Sequence, residues 1–402
     1  MYISYDGLTD PLGQSQILPY LRELSKYGFQ FTILSFEKKE RYQKEKNIVS
    51  DALNSSGIKW VPLWFTSTPP VLSKIYDRWQ LKRKVLHLHR QENFDMIHCR
   101  SYVAAEMGLF LKNRLGTKFL FDMRGFWADE KVDNHQWNQK NYLYRLVYKH
   151  YKKKEKEFLL NADGIITLTH ASKDYLMSKQ EYKNLSIEVI PCCADFNHFD
   201  FHKVSSEEVH SLKRKLQIPD TARVITYLGS VGGWYMTHEM FSFFKMLTTQ
   251  MPEYIMLILT KDNAAGVETE VLSLGIPLNK IFITYSDREH LPQFMALSNC
   301  SVFFIKNSFS KMASSPTKHA ELMGMGIPVI CNDIGDTGGI INDTKTGFII
   351  DTFNEDSYQD VINRICDLEK IGKEYIYNSG KNLFDLSTGV QKYLTEYKRI
   401  LN

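Results

Sequence analysis

The stretch SSPTKHAELMGMGIPVI, residues 314–330, carries polar side chains at a spacing that could hold a phosphorylated ligand. Its pattern predicts a loop, a helix of about three turns and a buried strand. We expect Ser315 to cap the helix and Pro316 to take its first position, where the missing N–H costs nothing. The N–H groups of Thr317 and Lys318, the helix dipole and the Lys318 ammonium would then face an anion together.

One turn further along this helix, Glu321 could accept hydrogen bonds from two neighbouring hydroxyl groups. A phosphate at the helix start with a diol beside the carboxylate describes the diphosphate and ribose of a nucleotide. The alternative is an ordinary capped helix in which Lys318 and Glu321 form a surface ion pair. The residue types alone leave both interpretations open.

Two glycine-rich turns, one in each half of the chain, could also approach a phosphate. The first, DGLTDPLG, places Gly7 and Gly13 just before a predicted helix, and the second, LGSVGGWY, places Gly229, Gly232 and Gly233 between a strand and a helix. Such turns present backbone N–H groups at a helix start, where anions bind. A glycine-rich turn can equally serve only to reverse the chain.

A group of charged residues follows a predicted strand in the segment DMRGFWADE, namely Asp122, Arg124, Asp129 and Glu130. Because ligands of doubly wound sheets bind outside the carboxyl ends of the strands, a loop in this position belongs to a cleft. His98, at the end of FDMIHC, would close another strand on the same edge. The alternatives are a solvated loop with self-paired charges and a structural histidine.

The elements that must position these residues are visible as short β-branched and aromatic runs that alternate with amphipathic stretches. This alternation is typical of parallel sheets covered by helices on both faces. The first series of predicted strands is MYIS at the start, then 29–36, 58–65, 94–99, 117–123, 163–169 and 187–191. The second series is 223–230, 254–260, 280–285, 300–305, 327–332 and 346–350. We therefore predict an α/β protein with two doubly wound, Rossmann-like domains facing a central cleft.

The predicted boundaries are 1–195 for the first domain and 196–385 for the second, with a C-terminal helix at 386–402 that can pack back on the first domain. A chain of 402 residues exceeds what one core usually holds, and 43% apolar and 24% charged residues are ordinary for a globular protein. The N-terminus lacks a signal-peptide pattern, and no apolar run is long enough to span a membrane, so we expect a cytoplasmic protein.

Several classes of site are disfavoured by the residues. The six cysteines have neither metal spacing nor a disulfide framework, and a net charge of +4 is too small by itself to indicate nucleic acid. No Asp-x-Asp motif is present. Because a helix start with a lysine could hold a diphosphate without a metal ion, we predict a site that uses neither a metal nor another cofactor.

Five segments together resemble the retaining family 4 glycosyltransferases of GT-B fold, most of all bacterial surface-polysaccharide members. They are GLTDPLGQSQILPYL, FDMIHCRSY, FDMRGFWADE, YLGSVGGWY and FFIKNSFSKMASSPTKHAELMGMGIPVICND. The resemblance implies a nucleotide-diphosphate sugar as donor substrate, bound mainly by 196–385. It also implies a glycan or lipid-linked acceptor, bound mainly by 1–195, and transfer with retained anomeric configuration.

The resemblance also implies roles for single residues. The glutamate matching Glu321 holds the ribose hydroxyls, the helix start matching Ser315 to Lys318 meets the diphosphate, and Gly13 matches a glycine that approaches the phosphates.

The sequence departs from the family pattern at three places. Ala313 stands where many members carry a glutamate near the donor sugar, and Ser230 and Tyr235 stand where many carry an arginine and a lysine. Arg124 lies about where many members have an active-site histidine. The cations available to replace the missing pair are Lys306, Lys311 and Lys318, of which we favour Lys318.

Our hypothesis is that the donor is held by Lys318 and Glu321, with Gly13, Gly229, Ser230, Lys306, Ser315 and Thr317 around it. On the acceptor side we expect Asp122, Arg124 and Asp129 to organise the reacting hydroxyl, with His98 and Glu130 nearby. Two other functions use a similar architecture: a sugar-nucleotide 2-epimerase, and a non-catalytic nucleotide-sugar-binding partner, which the alanine at 313 makes conceivable.

A basic segment, RLVYKHYKKKEKEF, sets Arg145, Lys149, Lys152 or Lys153, and Lys156 along one face of a predicted helix. Such a face can dock on anionic lipid at the inner side of the cytoplasmic membrane. The alternative is the solvated outer face of a domain helix.

Overall fold

The computed structural model describes the backbone of residues 1–402 and every side chain except those of Pro70 and Val71. The chain divides into two compact units. The first unit comprises Met1–Cys192, Phe309–Ser314 and Leu386–Asn402, and the second comprises Cys193–Ser308 and Ser315–Asp385.

This division differs from the predicted domains in two respects. The boundary follows Cys192 rather than residue 195, and the segment 309–314, predicted as part of the second domain, belongs to the first unit. Thr169 donates a hydrogen bond to the carbonyl oxygen of Met312 at 2.7 Å, and Phe309 stacks on Phe126 at a ring distance of 5.2 Å. Partners so distant in sequence leave no periodic pattern, so the sequence could not assign this segment.

The first unit contains a seven-stranded parallel sheet of order β3-β2-β1-β4-β5-β6-β7. Its strands are β1 (Tyr2–Ser4), β2 (Thr32–Glu37), β3 (Lys59–Trp64), β4 (Met96–Arg100), β5 (Lys118–Asp122), β6 (Gly164–Thr167) and β7 (Ile187–Val189). The helices between them are α1 (Pro11–Gln16), α2 (Leu18–Ser25), α3 (Lys39–Asn54), α4 (Pro70–Glu92), α5 (Ser101–Leu115), α6 (Trp127–Asp133), α7 (Tyr142–Asn161) and α8 (His170–Met177). The central strands are buried on both faces, which explains their continuous apolar runs.

The second unit contains a six-stranded parallel sheet of order β10-β9-β8-β11-β12-β13. Its strands are β8 (Arg223–Leu228), β9 (Tyr254–Leu259), β10 (Ile281–Thr284), β11 (Cys300–Phe303), β12 (Val329–Cys331) and β13 (Gly347–Ile349). Its helices are α9 (Ser206–Lys215), α10 (Thr237–Gln250), α11 (Ala264–Ser273), α12 (Leu291–Met295), α13 (Thr317–Gly324), α14 (Thr337–Thr344), α15 (Glu355–Arg364) and α16 (Lys373–Phe384). Short 3₁₀ turns occupy Gln180–Tyr182, Phe201–Lys203, Leu278–Lys280, Phe309–Ala313 and Ile365–Lys370.

The last helix, α17 (Leu386–Leu401), lies in the first unit. Its tyrosines pack on α2 and on that sheet: Tyr393 contacts Tyr20 of α2 edge-on at a ring distance of 5.5 Å, and the Tyr397 hydroxyl lies 2.6 Å from Nδ1 of His98 in β4. Every run predicted as a strand overlaps one, so the prediction of two doubly wound Rossmann-like units is confirmed. Within the described part of the chain, the helices are too short or too polar to cross a membrane.

Candidate functional site

The helix predicted in the SSPTK stretch is α13, and it begins at Thr317 rather than at Pro316. Pro316 has φ −68° and ψ 115°, which is extended, so it occupies the N-cap position. The prediction of Ser315 as N-cap is therefore wrong: the proline ring restricts φ but leaves ψ able to leave the helical range. The N–H groups of Thr317 and Lys318 still come before the first N–H that donates within the helix, which is that of His319, to the carbonyl oxygen of Pro316.

The side chain of Lys318 turns into the second unit and is 7% exposed. Its ammonium lies 3.7 Å from the ring centroid of Tyr235 and 4.6 Å from that of Tyr227. Among the described side chains it has no hydrogen-bond partner. Burial lowers the pKa of Lys318 to about 7, and the nearby Glu321 opposes this only in part. A buried ammonium without an acceptor is unfavourable, so an anion beside it would be stabilising.

The glycine-rich turn after β8 lies next to this ammonium. Gly229 has φ 121°, a conformation that side chains other than glycine rarely adopt, and a Cβ added there would lie 3.0 Å from Nζ of Lys318. The Tyr227 hydroxyl donates to the carbonyl oxygen of Ser230 and anchors the turn. Two features that the sequence suggested separately, the turn and the lysine, therefore meet in the second unit.

Glu321 is also buried, and Nη1 of Arg288 donates to its Oε1 at 3.0 Å. Burial raises the pKa of Glu321, while Arg288 and then Lys318 act against this rise. The surface ion pair between Lys318 and Glu321, which was the alternative interpretation, is not formed: both side chains are buried, and the carboxylate pairs with Arg288 instead.

Arg288 is the residue at this site that the sequence analysis missed. It lies in the loop after β10, its guanidinium carbon is 5.1 Å from the ring centroid of Phe199, and its carbonyl oxygen is 2.8 Å from Nε2 of His198. Its neighbours in the sequence, DREH, have the composition of a solvated loop. Only its contact with Glu321 distinguishes Arg288 from other loop residues, and no pattern in the nearby sequence predicts that contact.

The other two candidate lysines lie in different surroundings. Lys306 is exposed after β11, and its backbone N–H donates to the carbonyl oxygen of Trp234 at 2.9 Å. Lys311 lies in the first unit, where its ammonium donates to Oε1 of Glu130 at 3.0 Å. Of the three, Lys318 is the one that is buried without a hydrogen-bond acceptor.

On the acceptor side, Asp122 ends β5 in the first unit and is 1% exposed. The Tyr393 hydroxyl donates to its Oδ2 at 2.9 Å, and Nε2 of His98 lies 3.3 Å from the same oxygen. Oδ1 lies 3.9 Å from Nη1 of Arg124 and, among the described side chains, receives no hydrogen bond. Burial alone would raise the pKa of Asp122, but Arg124 and His98 lower it below its ordinary value, so the carboxylate stays ionised.

The turn after β5 directs Arg124 towards this carboxylate. Arg124 has φ 56° and the following Gly125 has φ 126°. A left-handed arginine is uncommon, and such backbone conformations concentrate at functional sites. Its Nη2 also lies 3.4 Å from Oε1 of Gln16 and 3.3 Å from Sγ of Cys192.

The remaining acceptor-side predictions lie elsewhere in the first unit. His98 is in the middle of β4 rather than at its end, and burial lowers its pKa, so it packs beneath α17 as a neutral ring. Asp129 faces α7, where the Tyr148 hydroxyl and the Lys152 ammonium each donate to it at 2.8 Å. Glu130 pairs with Lys311. The predicted grouping of four charges is therefore wrong: Asp122 and Arg124 meet, whereas α6 turns Asp129 and Glu130 towards other partners.

The glycine-rich turn of the first unit is closed by a carboxylate. Glu37 is fully buried and accepts from the N–H groups of Leu8 at 2.8 Å and Thr9 at 3.2 Å. Gly13 lies inside α1 rather than before a helix, and a Cβ there would lie 2.1 Å from the carbonyl oxygen of Gly7. These N–H groups already have an internal acceptor, which the sequence did not indicate.

Two family models match the chain. The model described as Glycosyltransferase Family 4 matches residues 16–198, and the model described as Glycosyl transferases group 1 matches residues 209–382. The two models together match most of the chain, which has two parallel sheets with helices, and the chain therefore belongs to the family 4 type of glycosyltransferase with a GT-B-like fold.

Solved structures agree with the fold. A glycosyltransferase from Rickettsia africae has a TM-score of 0.72 at 18% identity, with 100% of this chain and 98% of that chain covered. HepE of Anabaena in complex with UDP-glucose has a TM-score of 0.71 at 14% identity, covering 99% and 98%. WaaG, a glycosyltransferase involved in lipopolysaccharide biosynthesis, has a TM-score of 0.67 at 11% identity, covering 98% and 97%. Among curated protein sequences, none matches this chain.

Proposed function

We propose that this glycosyltransferase moves a sugar from a nucleotide-diphosphate sugar to a glycan or lipid-linked acceptor, with retained configuration, in bacterial polysaccharide biosynthesis. The observation that carries the proposal is the Lys318 ammonium, which is buried beside Gly229 and which, within the described structure, lacks a hydrogen-bond acceptor. A diphosphate at this point supplies the missing acceptor. The Anabaena relative in complex with UDP-glucose supports a nucleotide-sugar donor.

The positive charge at the turn stabilises the leaving group. As the bond from the sugar to the diphosphate breaks, negative charge grows on the phosphate oxygens. The Lys318 ammonium and the N–H groups that begin α13 lie fixed in a water-poor environment, where they stabilise this charge strongly. In this proposal they fulfil the role that a metal ion plays elsewhere, and the reaction uses no other cofactor.

The ribose of the donor is bound by Glu321 in the same proposal. An ionised carboxylate accepts hydrogen bonds from two adjacent hydroxyl groups, whereas a protonated one loses part of that capacity. Because burial raises the pKa of Glu321, the guanidinium of Arg288 is needed to keep it ionised. Arg288 thus acts on the donor through Glu321 as a positioning residue.

The acceptor hydroxyl is oriented by Asp122 and Arg124. Oδ1 of Asp122 has hydrogen-bonding capacity left, and Arg124 keeps the carboxylate ionised. In retaining transfer the departing phosphate can itself take the proton of the acceptor hydroxyl, so Asp122 need only orient that hydroxyl. Asp129 has no part in this proposal, because its partners are Tyr148 and Lys152 on α7.

The test is a transfer assay with a panel of nucleotide sugars, chosen first by the thermal shift that each produces. We expect Lys318→Ala to lower the transfer rate by about 100-fold or more, as the loss of a preorganised charge at a leaving group does. The matched control is Lys245→Ala, which removes an exposed lysine from α10 of the same unit. A Lys318→Ala protein with the wild-type rate would contradict the proposal.

Two further readouts distinguish the alternative functions. A sugar-nucleotide 2-epimerase converts the donor when it is incubated alone, so the recovered nucleotide sugar is analysed for a changed sugar. A non-catalytic binding partner produces a thermal shift with the donor but no turnover with any acceptor. Either result would replace the transferase proposal.

The proposal includes peripheral contact with the inner face of the cytoplasmic membrane, since a lipid-linked acceptor resides there. The sequence suggested α7 as the contact because of its basic residues.

A further inference from the structure

The outward-facing side of α4 has an unusual distribution of side chains. Its first half presents four large apolar residues at helical spacing, each between 51% and 64% exposed: Leu72, Ile75, Tyr76 and Trp79. The opposite side of the helix is buried in the first unit through Ser73, Asp77, Leu81 and Val85. A surface helix normally turns its polar side to solvent, so this apolar stripe needs a partner.

The same stripe becomes basic in the second half of α4. The exposed residues that continue it are Lys82, Arg83, His87 and Arg90. The helix carries two carboxylates, Asp77 and Glu92, and Asp77 is fully buried. An apolar segment followed by a basic segment on one helix face suits a lipid surface, with acyl chains next to anionic headgroups.

The first turns of α7 repeat this arrangement. Tyr142, Leu143 and Leu146 are 66%, 56% and 45% exposed. The guanidinium carbon of Arg145 lies 5.6 Å from the ring centroid of Tyr142, and Lys149 is exposed one turn later. Tyrosine and tryptophan are the side chains enriched where a bilayer meets water.

The basic face predicted for α7 is only partly present. Lys152 donates to Asp129 and Glu155, and Lys156 pairs with Glu181. Among the described side chains, Arg145, Lys149 and Lys153 form no ion pair with a carboxylate. The lipid-facing character of α7 therefore comes from its first turns, not from the whole basic segment.

The two helices are neighbours and begin at the same edge of the sheet. The guanidinium of Arg78 in α4 donates to the Tyr151 hydroxyl in α7. Since α4 follows β3, and α7 follows β5 by way of α6, both start at the carboxyl edge of the parallel strands. Asp122 ends β5 at this edge.

We propose that the first turns of α4 and α7 form one docking surface for an anionic lipid bilayer. Its apolar side chains enter the acyl region, and its basic side chains meet the headgroups. A second copy of the chain fits less well, because it would cover the apolar side chains but give the basic residues that continue the stripe no anionic partner. The inference rests on the proposed function in one respect: a lipid-linked acceptor would reach the Asp122 edge from the bilayer beside it.

The experiment is flotation of the full chain with vesicles of phosphatidylcholine, alone or mixed with phosphatidylglycerol. We expect binding to the mixed vesicles, and a loss of about tenfold or more in the triple variant Leu72→Ser, Ile75→Ser, Trp79→Ser. The matched control, Ile48→Ser, Leu115→Ser, Leu272→Ser, removes three exposed apolar side chains from elsewhere and should bind as the wild type does. Lys82→Gln with Arg83→Gln should weaken the preference for the anionic vesicles.

Absence of binding, equal binding to both kinds of vesicle, or undiminished binding by the triple variant would overturn the inference. A lipid-independent dimer that the triple variant abolishes would assign the surface to a second copy and overturn it as well. Transfer to a water-soluble acceptor is measured in parallel and should be unchanged in the triple variant. If the wild type binds anionic vesicles but shows no transfer, the proposed function fails while the docking surface stands.

Discussion

The glycine-rich turn of the first unit closes around a carboxylate, whereas that of the second unit closes against an ammonium. In the first turn the N–H groups of Leu8 and Thr9 donate to the buried Glu37. In the second turn Gly229 lies against the buried Lys318, which, among the described side chains, has no acceptor. The carboxylate completes the first turn within the protein, whereas we propose that the ammonium beside the second turn meets an anionic ligand.

This difference shows that a glycine-rich turn does not by itself identify an anion site. Backbone N–H groups attract an anion in either unit, and a side chain of the protein can be that anion. The charge of the nearest buried side chain decides which turn is available. Because Glu37 and Lys318 lie on other elements than the turns they contact, the turn sequences alone do not reveal this.

The largest effect should come from reversing the charge in the second turn. We expect Lys318→Glu to weaken binding of the donor by more than about 100-fold, because a like charge then faces the diphosphate. Isothermal titration with the best donor of the panel measures the change, and circular dichroism checks the fold. Retained affinity would show that the two turns do not differ in the way proposed.

The corresponding change in the first turn should affect stability instead. Glu37→Gln replaces one acceptor oxygen by an amide donor that faces other donors, including the Thr9 and Ser35 hydroxyls. We expect the free energy of unfolding to fall by about 2 kcal/mol, the usual effect of leaving buried polar groups unpaired. Urea denaturation measures it. Donor affinity of the folded variant should stay within about twofold of wild type, since this turn binds no donor phosphate in the proposal.

The pH dependence of donor binding sharpens the comparison further. Burial lowers the pKa of Lys318 to about 7 in the free protein, and a bound diphosphate would raise it. Below pH 7 the ammonium is already charged, so Lys318 causes no further change of affinity there. Above pH 7 binding must take up a proton, so affinity should fall by up to about tenfold per pH unit until the pKa of the complex is reached. Lys318→Arg, which stays charged, should abolish this fall; a fall of unchanged size would assign it to another group.

The smallest effect should come from the partner of the ribose-binding carboxylate. Arg288→Gln removes the main influence that opposes the raised pKa of Glu321. As the solution is acidified, donor affinity of the variant should therefore begin to fall at a higher pH than that of the wild type. Near neutrality we expect the variant to bind the donor several-fold more weakly, a difference of about 1 kcal/mol. Titrations over a pH series measure it, and Arg288→Lys should restore part of the affinity. A purely structural role would lower affinity equally at every pH.

The sheets could be predicted well from the sequence, and the site only in part. Buried parallel strands are continuous apolar runs, so each of them was recognisable. Thr317, Lys318 and Glu321 share one helix start, so their proximity followed from helix geometry alone. Arg288 and Glu37 could not be found this way, because each acts on residues that lie far from it in the sequence.

For the charged residues at and after the end of β5, the sequence predicted a proximity that the structure does not have. Asp122 and Asp129 are close in sequence, and the pattern placed both at one edge. The left-handed turn at Arg124 and Gly125 redirects the chain into α6, which presents Asp129 to α7. A backbone conformation that few residues favour has no periodic signature in the sequence. The sequence therefore did not reveal that Asp122 and Asp129 contact different partners.

By itself the sequence determined the two-sheet architecture, the helix that carries Lys318 and Glu321, and the resemblance to a glycosyltransferase family. Those features depend on local periodicity and residue type. The tertiary structure alone decided that Lys318 is buried beside Gly229, that Arg288 pairs with Glu321, and that the first turns of α4 carry an exposed apolar stripe. The physical reason is that burial and pairing are properties of contacts between distant segments, and those contacts set the charge state of a side chain and whether it remains available to a ligand.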